Sequence, residues 1–366
     1  MKILMSGVVK GNRNLRLVSV VIAMILLLCG YGSSTWANET DINWSAFNIK
    51  LVTQQIIPGY KAMSAATDSL EQSSKQLCLL KDDASLLAVK VAFHQSMDAW
   101  QSIQYVNFGP IEYAMRSASL QFWPDKKNHI GKQLNQLVSS KDTARLAQKF
   151  DGMSVSIKGL PAIERLLYTA DSLTELSQDP YRCQVLQRIS QNASEISHAL
   201  SSEWQNFMLA QFEDASGIDG FFEDEIDAAT ALLKTIVEPI EIVRDLKLKR
   251  PLGSQFGKQK FKRLESWRSQ RSLRNIRLNI KVIENSLPLL NSVLTYGDAN
   301  RIAKQLAKVT TLIDQIPSPL EQSIQTESAY EVLIQLVTQL NLLHKNLEQG
   351  VSKVGIHLGF NSRDGD

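Results

Sequence analysis

The sequence predicts an all-α protein built from two helical-bundle domains. Apolar residues recur at steps of three and four over most of its 366 residues, which is the period of a helix with one buried face. Hydrophobic residues make up 44% of the chain, while glycine and proline number only 18 and 10, as in an ordinary soluble core. We find no convincing alternating pattern of strands, so packed helices are favoured over a parallel sheet.

Residues 1–37 have the pattern of a secretory signal peptide. Their apolar run, Leu17 to Cys29, is shorter than the roughly 20 residues needed to cross a bilayer. Thr35-Trp36-Ala37 fits a small-x-small cleavage site, so we expect a mature periplasmic chain that begins near Asn38. Cleavage before Cys29 would instead give a lipid anchor in the envelope, but Leu28 stands where that processing needs a small residue.

The basic character of the chain is concentrated in this leader. Its basic residues are Lys2, Lys10, Arg13 and Arg16, and it has no acidic residue. The formal charge of +3 therefore becomes −1 after cleavage. A mature chain with a formal charge near zero has no electrostatic attraction that would favour a nucleic-acid partner. We expect membrane attachment only if Cys29 is lipidated.

Two cysteines, Cys78 and Cys183, remain after removal of the leader. In an oxidising compartment a pair is more often bridged than free, so we predict one disulfide. The alternative is two buried, inert thiols.

The first half contains a helical pattern broken by loop signals. About 330 residues would follow the leader, enough for two domains of about 150 residues each. Ser216-Gly217-Ile218-Asp219-Gly220 marks their boundary, giving an N-terminal bundle domain at 38–216 and a C-terminal one at 217–366. Phe108-Gly109-Pro110 begins a loop-rich insertion that ends at Asp125. The predicted helices are 42–76 with a break at Pro58-Gly59, 83–107 with Asp83 as N-cap, 127–138, 142–150 and 180–212.

The second half continues the helical pattern. Pro239 interrupts the first helix of this half at most locally, and Arg250-Pro251-Leu252-Gly253 ends it. The last helix is expected to begin at Ser318-Pro319 and to end at Gly350. The predicted helices are 222–249, 260–286, 289–295, 298–316 and 319–350.

One carboxylate, Glu164, falls inside a short apolar helix. Gly159 lets the backbone bend, and Pro161 suits the first helical turn, where no N–H is needed. Because an unpaired buried carboxylate is costly, we expect Glu164 to face a cleft near residues 265–279. A fixed guanidinium, Arg268, is its expected partner.

A polar stripe on the predicted helix 83–107 is a candidate metal site. His94 and Asp98 are one turn apart, and Gln101 and Tyr105 continue the stripe. A histidine and a carboxylate at this spacing can chelate a divalent metal, with Glu164 as a further ligand. The alternative is a half-exposed polar face.

A second polar stripe lies on the predicted helix 260–286. Glu265, Ser269 and Ser272 would share one face, with Asn275 and Asn279 extending it. Leu273, Ile276, Ile280 and Ile283 would form the core face. Such a row suggests a buried polar seam that contributes to a ligand site, or one that only fixes helix packing.

A faint internal repeat links the two stripes. Asp98-Ala99-Trp100-Gln101-Ser102 and Glu265-Ser266-Trp267-Arg268-Ser269 share an acid-small-Trp-polar-Ser pattern. If the repeat is real, duplicated bundles would bring equivalent stripes to one interface, a common place for a site.

Common hydrolase signatures are missing from the sequence. There is no His-Glu-x-x-His pair, no Gly-x-Ser-x-Gly elbow and no phosphate-binding glycine loop, and no two of the five histidines stand at ligand spacing. A standard hydrolase therefore has little support.

Taken together, several motifs resemble the imelysin family of bacterial periplasmic proteins. They are Trp100 with Phe108-Gly109-Pro110, Phe122-Trp123-Pro124-Asp125, Gly159 to Tyr168, Arg250-Pro251-Leu252-Gly253, and Glu265 to Ser269 with Ser272 and Asn275. The family signature is Gly-x-His-x-x-Glu, so Glu164 matches its glutamate while Pro161 replaces its histidine. A branch described as predicted periplasmic lipoproteins also has this proline.

The resemblance implies two helical-bundle domains related by internal duplication, with a site between them. It also implies an association with iron-regulated uptake. It favours a non-enzymatic periplasmic protein that binds iron, or a ligand carrying iron, through Glu164, Glu265, Arg268, Ser269 and Asn275. The family was once classed as metallopeptidases, so a peptidase using Glu164 and His94 is the second reading. A scaffold for another envelope protein is the third.

Overall fold

The computed structural model describes residues 42–148, 150–215 and 220–359, and within these ranges the chain is helical with no strand. The all-α prediction is confirmed. The predicted signal peptide, its cleavage site and Cys29 lie outside the described residues, as does most of the predicted domain boundary. None of the helices in the described ranges is long and apolar enough to cross a membrane.

The first half is organised around three long helices. Its α-helices are α1 (Trp44–Leu51), α2 (Ile57–Leu80), α3 (Asp83–Ile103), α4 (Arg116–Leu120), α5 (His129–Ser140), α6 (Thr143–Gln148), α7 (Leu160–Leu167), α8 (Ser172–Gln178), α9 (Pro180–Glu203) and α10 (Leu209–Glu213). Helix α2 packs against both α3 and α9. The predicted disulfide is present, and Cys78–Cys183 ties the end of α2 to the start of α9.

The start and end of α3 differ slightly from the prediction. Its N-cap is Asp82 and not Asp83, because the Asp82 carboxylate accepts the Ser85 N–H at 2.8 Å while the Ser85 hydroxyl accepts the Asp82 N–H. The helix ends at Ile103, four residues earlier than predicted, so Tyr105 lies beyond it.

The second half consists of α11 to α17. Their bounds are α11 (Glu225–Val237), α12 (Pro239–Glu241), α13 (Arg250–Leu252), α14 (Ser272–Leu290), α15 (Tyr296–Gln315), α16 (Leu320–Ser323) and α17 (Glu327–Lys353), and a π-helical segment, Ile242–Lys249, joins α12 to α13. Helix α15 packs on α17, while α14 packs on α3 and α11 packs on α1. The described residues from Asn43 onward form one compact unit, and the predicted division near residue 216 stays a prediction.

The predicted helix 260–286 is wrong before Ser272, over nearly half of its length. Only a short 3-10 turn, Phe261–Arg263, precedes a non-helical stretch, and α14 begins at Ser272. Ser266 and Gln270 have left-handed backbone angles, with φ of 51° and 55°, so a continuous helix cannot pass through them. Glu265 and Ser269 thus belong to a loop, defined here as the wall loop (residues 264–271).

Gly350 does not end the last helix. Helix α17 continues to Lys353, and a Cβ on Gly350 would meet Ile302 at 3.4 Å and Asp298 at 3.5 Å. The glycine therefore marks close packing of α17 on α15. The predicted separate helix 289–295 is also wrong, because α14 itself runs to Leu290.

Candidate functional site

A pocket of about 400 Å³ lies where the wall loop faces the start of α7. Its walls come from the connection between α4 and α5, from α7, and from the segment that leads from α13 into the wall loop. The lining residues are Gln121, Trp123, Pro124, Asp125, Lys126, Ile130, Pro161, Glu164, Arg165, Arg250, Lys262, Arg263, Leu264, Ser266, Trp267 and Arg268. Pro161, at the motif-histidine position, and Glu164 are both among them.

Glu164 is fixed by the wall loop. The Ser269 backbone N–H donates to Glu164 Oε1 at 2.9 Å, and the Ser269 hydroxyl donates to the same oxygen at 2.6 Å. The side chain is 5% exposed, and burial raises its pKa against the opposing effect of the two Ser269 hydrogen bonds. The structure thus brings two of the predicted site residues together.

Close backbone packing positions the helix that carries Glu164. Gly159 is the N-cap of α7, and a Cβ there would lie 2.2 Å from the Leu120 carbonyl oxygen and 2.4 Å from that of Ser119. Only glycine allows this approach without a shift of the backbone. Pro161 fits the first turn, as predicted.

Asp125 and Arg165 form one side of the pocket. The Asp125 carboxylate accepts the His129 N–H at 2.6 Å and the Ile130 N–H at 3.1 Å, so it caps α5. Arg165 donates to the same carboxylate at 3.3 Å. Arg165 and Arg268 both line the pocket, and burial and then the charge of Arg268 lower the pKa of Arg165.

Arg268 forms part of the opposite wall. Its guanidinium lies 4.2 Å from the centre of the Trp267 ring, a cation–π contact that limits its mobility. Lys262 lies 6.0 Å from the same ring. Burial lowers the pKa of Arg268, and the Glu164 and Asp125 carboxylates partly offset this effect. Among the described residues no hydrogen bond or ion pair joins Arg268 to Glu164, so their predicted pairing stays a prediction.

Two of the predicted ligand-binding residues, Glu265 and Asn275, lie behind the wall and do not line the pocket. Glu265 accepts from Lys247 at 2.8 Å, from Gln121 at 2.9 Å and from Asn275 at 2.8 Å. Glu265 is 2% exposed and Asn275 is fully buried. Their assignment as direct ligand contacts is therefore corrected, because this network already occupies the carboxylate and holds the wall loop against the core.

The predicted metal ligands His94, Asp98 and Glu164 do not meet as one cluster. Asp98 bonds to Arg271 and Arg274. His94 Nδ1 accepts from Arg271 at 2.8 Å, and Nε2 lies 2.8 Å from the Tyr168 hydroxyl. Across the part of the chain that the structure describes, no group of three or more His, Cys, Asp or Glu side chains is placed to hold a metal ion.

The protonation state of His94 follows from its partners. A guanidinium only donates, so Nδ1 is the acceptor and the ring proton is on Nε2. Burial, and then the charge of Arg271, lower the pKa of His94 to about 4. At neutral pH this histidine is a neutral member of a hydrogen-bonded chain between Tyr168 and Arg271.

The two halves of the faint repeat have different conformations. Asp98 to Ser102 lies within α3, whereas Glu265 to Ser269 lies in the wall loop. The similarity of the two segments therefore does not extend to their backbones.

A Ser–His–Asp arrangement joins α2 to α9. The Ser64 hydroxyl lies 3.0 Å from His198 Nδ1, and His198 Nε2 lies 2.8 Å from Asp68. Ser64 lies in the interior of α2, where the backbone N–H groups serve the helix and cannot form an oxyanion hole. The contact therefore links two helices.

Several pocket residues were missed by sequence reasoning. Lys126, Arg165, Arg250, Lys262 and Arg263 all line the pocket, and none was a candidate. Two signals could have found four of them, all except Lys126. Arg165 and Arg250 lie inside motifs already singled out, and the segment 258–263 is rich in basic residues.

The fold and the pocket define a class: an all-helical protein with a buried motif glutamate facing a basic pocket. A sequence model of the family described as Imelysin matches residues 56–347, and this chain belongs to that family. No curated protein matches.

Two solved structures share the fold. An imelysin-like protein from Psychrobacter arcticum 273-4 is 19% identical with a TM-score of 0.71, and the match covers 87% of this chain and 97% of that one. A protein from Parabacteroides distasonis ATCC 8503, described as a candidate iron-regulated protein A precursor, is 16% identical with a TM-score of 0.69. That match covers 83% of this chain and 95% of the other. At these identities the similarity concerns the fold.

Proposed function

We propose that this protein is a non-catalytic, periplasmic component of iron acquisition that binds an iron-bearing ligand, or iron itself, in the pocket beside Glu164. Membership of the imelysin family supports an iron-related role, as does the description of the Parabacteroides neighbour. The observation that carries the proposal is that the motif glutamate lines a pocket of about 400 Å³ while Pro161 stands at the motif-histidine position. Such a pocket favours a ligand larger than a bare ion.

The side chains that could act as metal ligands near Glu164 argue against metal-dependent hydrolysis. A hydrolytic zinc site takes three protein ligands and keeps a fourth position for water. Pro161 offers no coordinating side-chain atom, and His94 already uses both ring nitrogens with Arg271 and Tyr168. Glu164 accepts two hydrogen bonds from Ser269.

The test is metal analysis of the protein purified from its own periplasm, followed by titrations with ferrous iron, ferric iron and ferric citrate. We expect iron to co-purify with the protein, or ferric citrate to bind more tightly than either free ion. Loss of binding in Glu164→Ala or Arg268→Ala would support the pocket as the site. The proposal is contradicted if the protein is absent from the periplasmic fraction. It is also contradicted if the protein binds none of ferrous iron, ferric iron and ferric citrate.

The second candidate is a metallopeptidase, favoured only by the buried motif glutamate. A broad peptide library, with added zinc and then with chelator, tests it directly. Chelator-sensitive cleavage that is lost in Glu164→Ala would replace our proposal with this one. If the mature protein cleaves nothing and binds no iron species, cross-linking in the envelope tests the scaffold reading.

A further inference from the structure

The pocket beside Glu164 has a strong excess of positive charge. Six basic and two acidic side chains line it, a surplus of four positive charges. The whole chain has a formal charge of only +3, which includes four basic residues in the predicted leader. The basic side chains come from four separate segments of sequence, so the fold collects them in one place.

The two acidic side chains of the lining are already engaged by other protein groups. Glu164 already accepts two hydrogen bonds from Ser269. Asp125 is used by the N-terminus of α5 and by Arg165. Within the described ranges, Arg250, Arg263 and Arg268 form no ion pair with a carboxylate, although Glu164 and Asp125 lie close enough to affect the pKa of Arg268.

Arg250 shows most directly that the pocket has too few anionic groups for its basic side chains. Its Nη1 atom is buried, and no hydrogen-bond partner for it exists among the described residues. Burial and then the charge of Arg263 lower the pKa of Arg250. A buried guanidinium donor that faces a second guanidinium is stabilised by an anion placed between them.

We propose that this pocket recognises a ligand with two or more carboxylate or phosphate groups. Its oxyanions are held by four guanidinium groups of the lining, those of Arg165, Arg250, Arg263 and Arg268. Guanidinium groups bind such oxyanions in a bidentate manner. The contact with Trp267 holds Arg268 ready for this role. The inference rests on the proposed function, because it makes an anionic chelate the iron-bearing ligand, recognised through its own oxygens and not through protein–metal bonds.

The experiment is isothermal titration of the full mature protein with iron-free tricarballylate and iron-free pyrophosphate, which separate a carboxylate from a phosphate ligand. We expect at least one of them to bind, with an affinity that falls as salt is raised. Arg268→Ala and Arg263→Ala should each weaken binding about tenfold, the loss expected for one charge-assisted contact. Arg277→Ala is the matched control, because Arg277 is exposed and pairs with Asp314 at 3.5 Å.

The outcomes separate this inference from the proposed function. If ferrous or ferric iron alone binds and neither anion does, the inference is overturned while the iron role stands. A second outcome is that an anion binds to the wild type and binds more weakly to the pocket variants, while no iron species binds and no iron co-purifies. In that case the inference stands and the iron role fails. Equal weakening in Arg277→Ala would show a general charge effect and would also overturn the inference. Circular dichroism of each variant checks folding.

Discussion

The Lys247 ammonium lies 2.8 Å from the Glu265 carboxylate, and the two side chains are 3% and 2% exposed. Gln101 and Gln121, from the first half of the chain, both donate to this carboxylate. Lys247 belongs to the second half and donates back to Gln101 at 2.7 Å. The pair therefore anchors the wall loop where the two halves of the sequence meet.

Glu265→Ala should lower the free energy of unfolding by about 3–5 kcal/mol, because it leaves the buried Lys247 charge uncompensated. The double variant Lys247→Met/Glu265→Leu should recover much of this loss, since it removes both charges and keeps apolar volume. Urea unfolding measures both effects. Glu331→Ala, at an exposed position on α17, is the control, and a Glu265→Ala variant as stable as that control would contradict the role of the pair.

Gly159→Ala should destabilise the protein by about 1–3 kcal/mol, the usual cost of forcing atoms into packed backbone. The new Cβ would meet the Leu120 carbonyl oxygen at 2.2 Å, and a carbonyl cannot move aside as a flexible side chain can. Gly297→Ala is the matched control, since no atom lies within 4 Å of its would-be Cβ and alanine favours helix α15. Equal thermal stability of the two variants would show that α7 tolerates a shift.

The sequence predicts the helical fold well because helix periodicity is a local property. The core face Leu273, Ile276, Ile280 and Ile283 is buried as predicted. That face is set by spacing within one helix, so no knowledge of distant residues is needed. The errors at Gly350 and near residue 289 concern helix ends, where tertiary packing decides and the local pattern does not.

The pocket could be predicted only in part because it depends on the wall loop. Residue type identifies Glu164, Arg268 and Ser269 as site candidates, but the local pattern places both Arg268 and Ser269 on a helix. Ser266 and Gln270 adopt left-handed conformations, which ordinary residues reach only when tertiary contacts hold them. Those contacts include the Gln121–Glu265 bond and the two Ser269–Glu164 bonds, each of which joins residues more than 100 positions apart. No local pattern contains this information.

Removal of the Cys78–Cys183 bridge should destabilise the protein by about 2–5 kcal/mol. The bridge closes a loop with a sequence separation of 105 residues, so its loss frees a long segment of the unfolded chain. Cys78→Ser/Cys183→Ser should therefore unfold at lower urea concentration than the oxidised wild type. The denatured, unreduced wild type should have no titratable thiol after the leader is removed, and two reactive thiols would contradict the bridge.

The charge on Glu164 should make the protein less stable at neutral pH than at mildly acidic pH. Burial raises the pKa of this carboxyl above 4.5 in the folded state. Below the unfolded-state pKa, Glu164 is protonated in both states and costs nothing. As the pH rises towards and through the folded pKa, the unfolded state ionises more readily, and the stabilising contribution of the neutral carboxyl is lost.

Glu164→Gln isolates this effect, because glutamine stays neutral and its carbonyl oxygen can still accept the Ser269 N–H. We expect the variant to have a higher midpoint of thermal unfolding than the wild type at pH 7.5, and this difference should shrink as the pH is lowered to 4. Glu331→Gln, at the exposed position on α17, should show no comparable change with pH. If the arginines around the pocket outweighed burial, Glu164→Gln would instead be less stable at pH 7.5. A Glu164→Gln variant that is less stable than the wild type at neutral pH would therefore overturn the assignment of burial as the dominant cause.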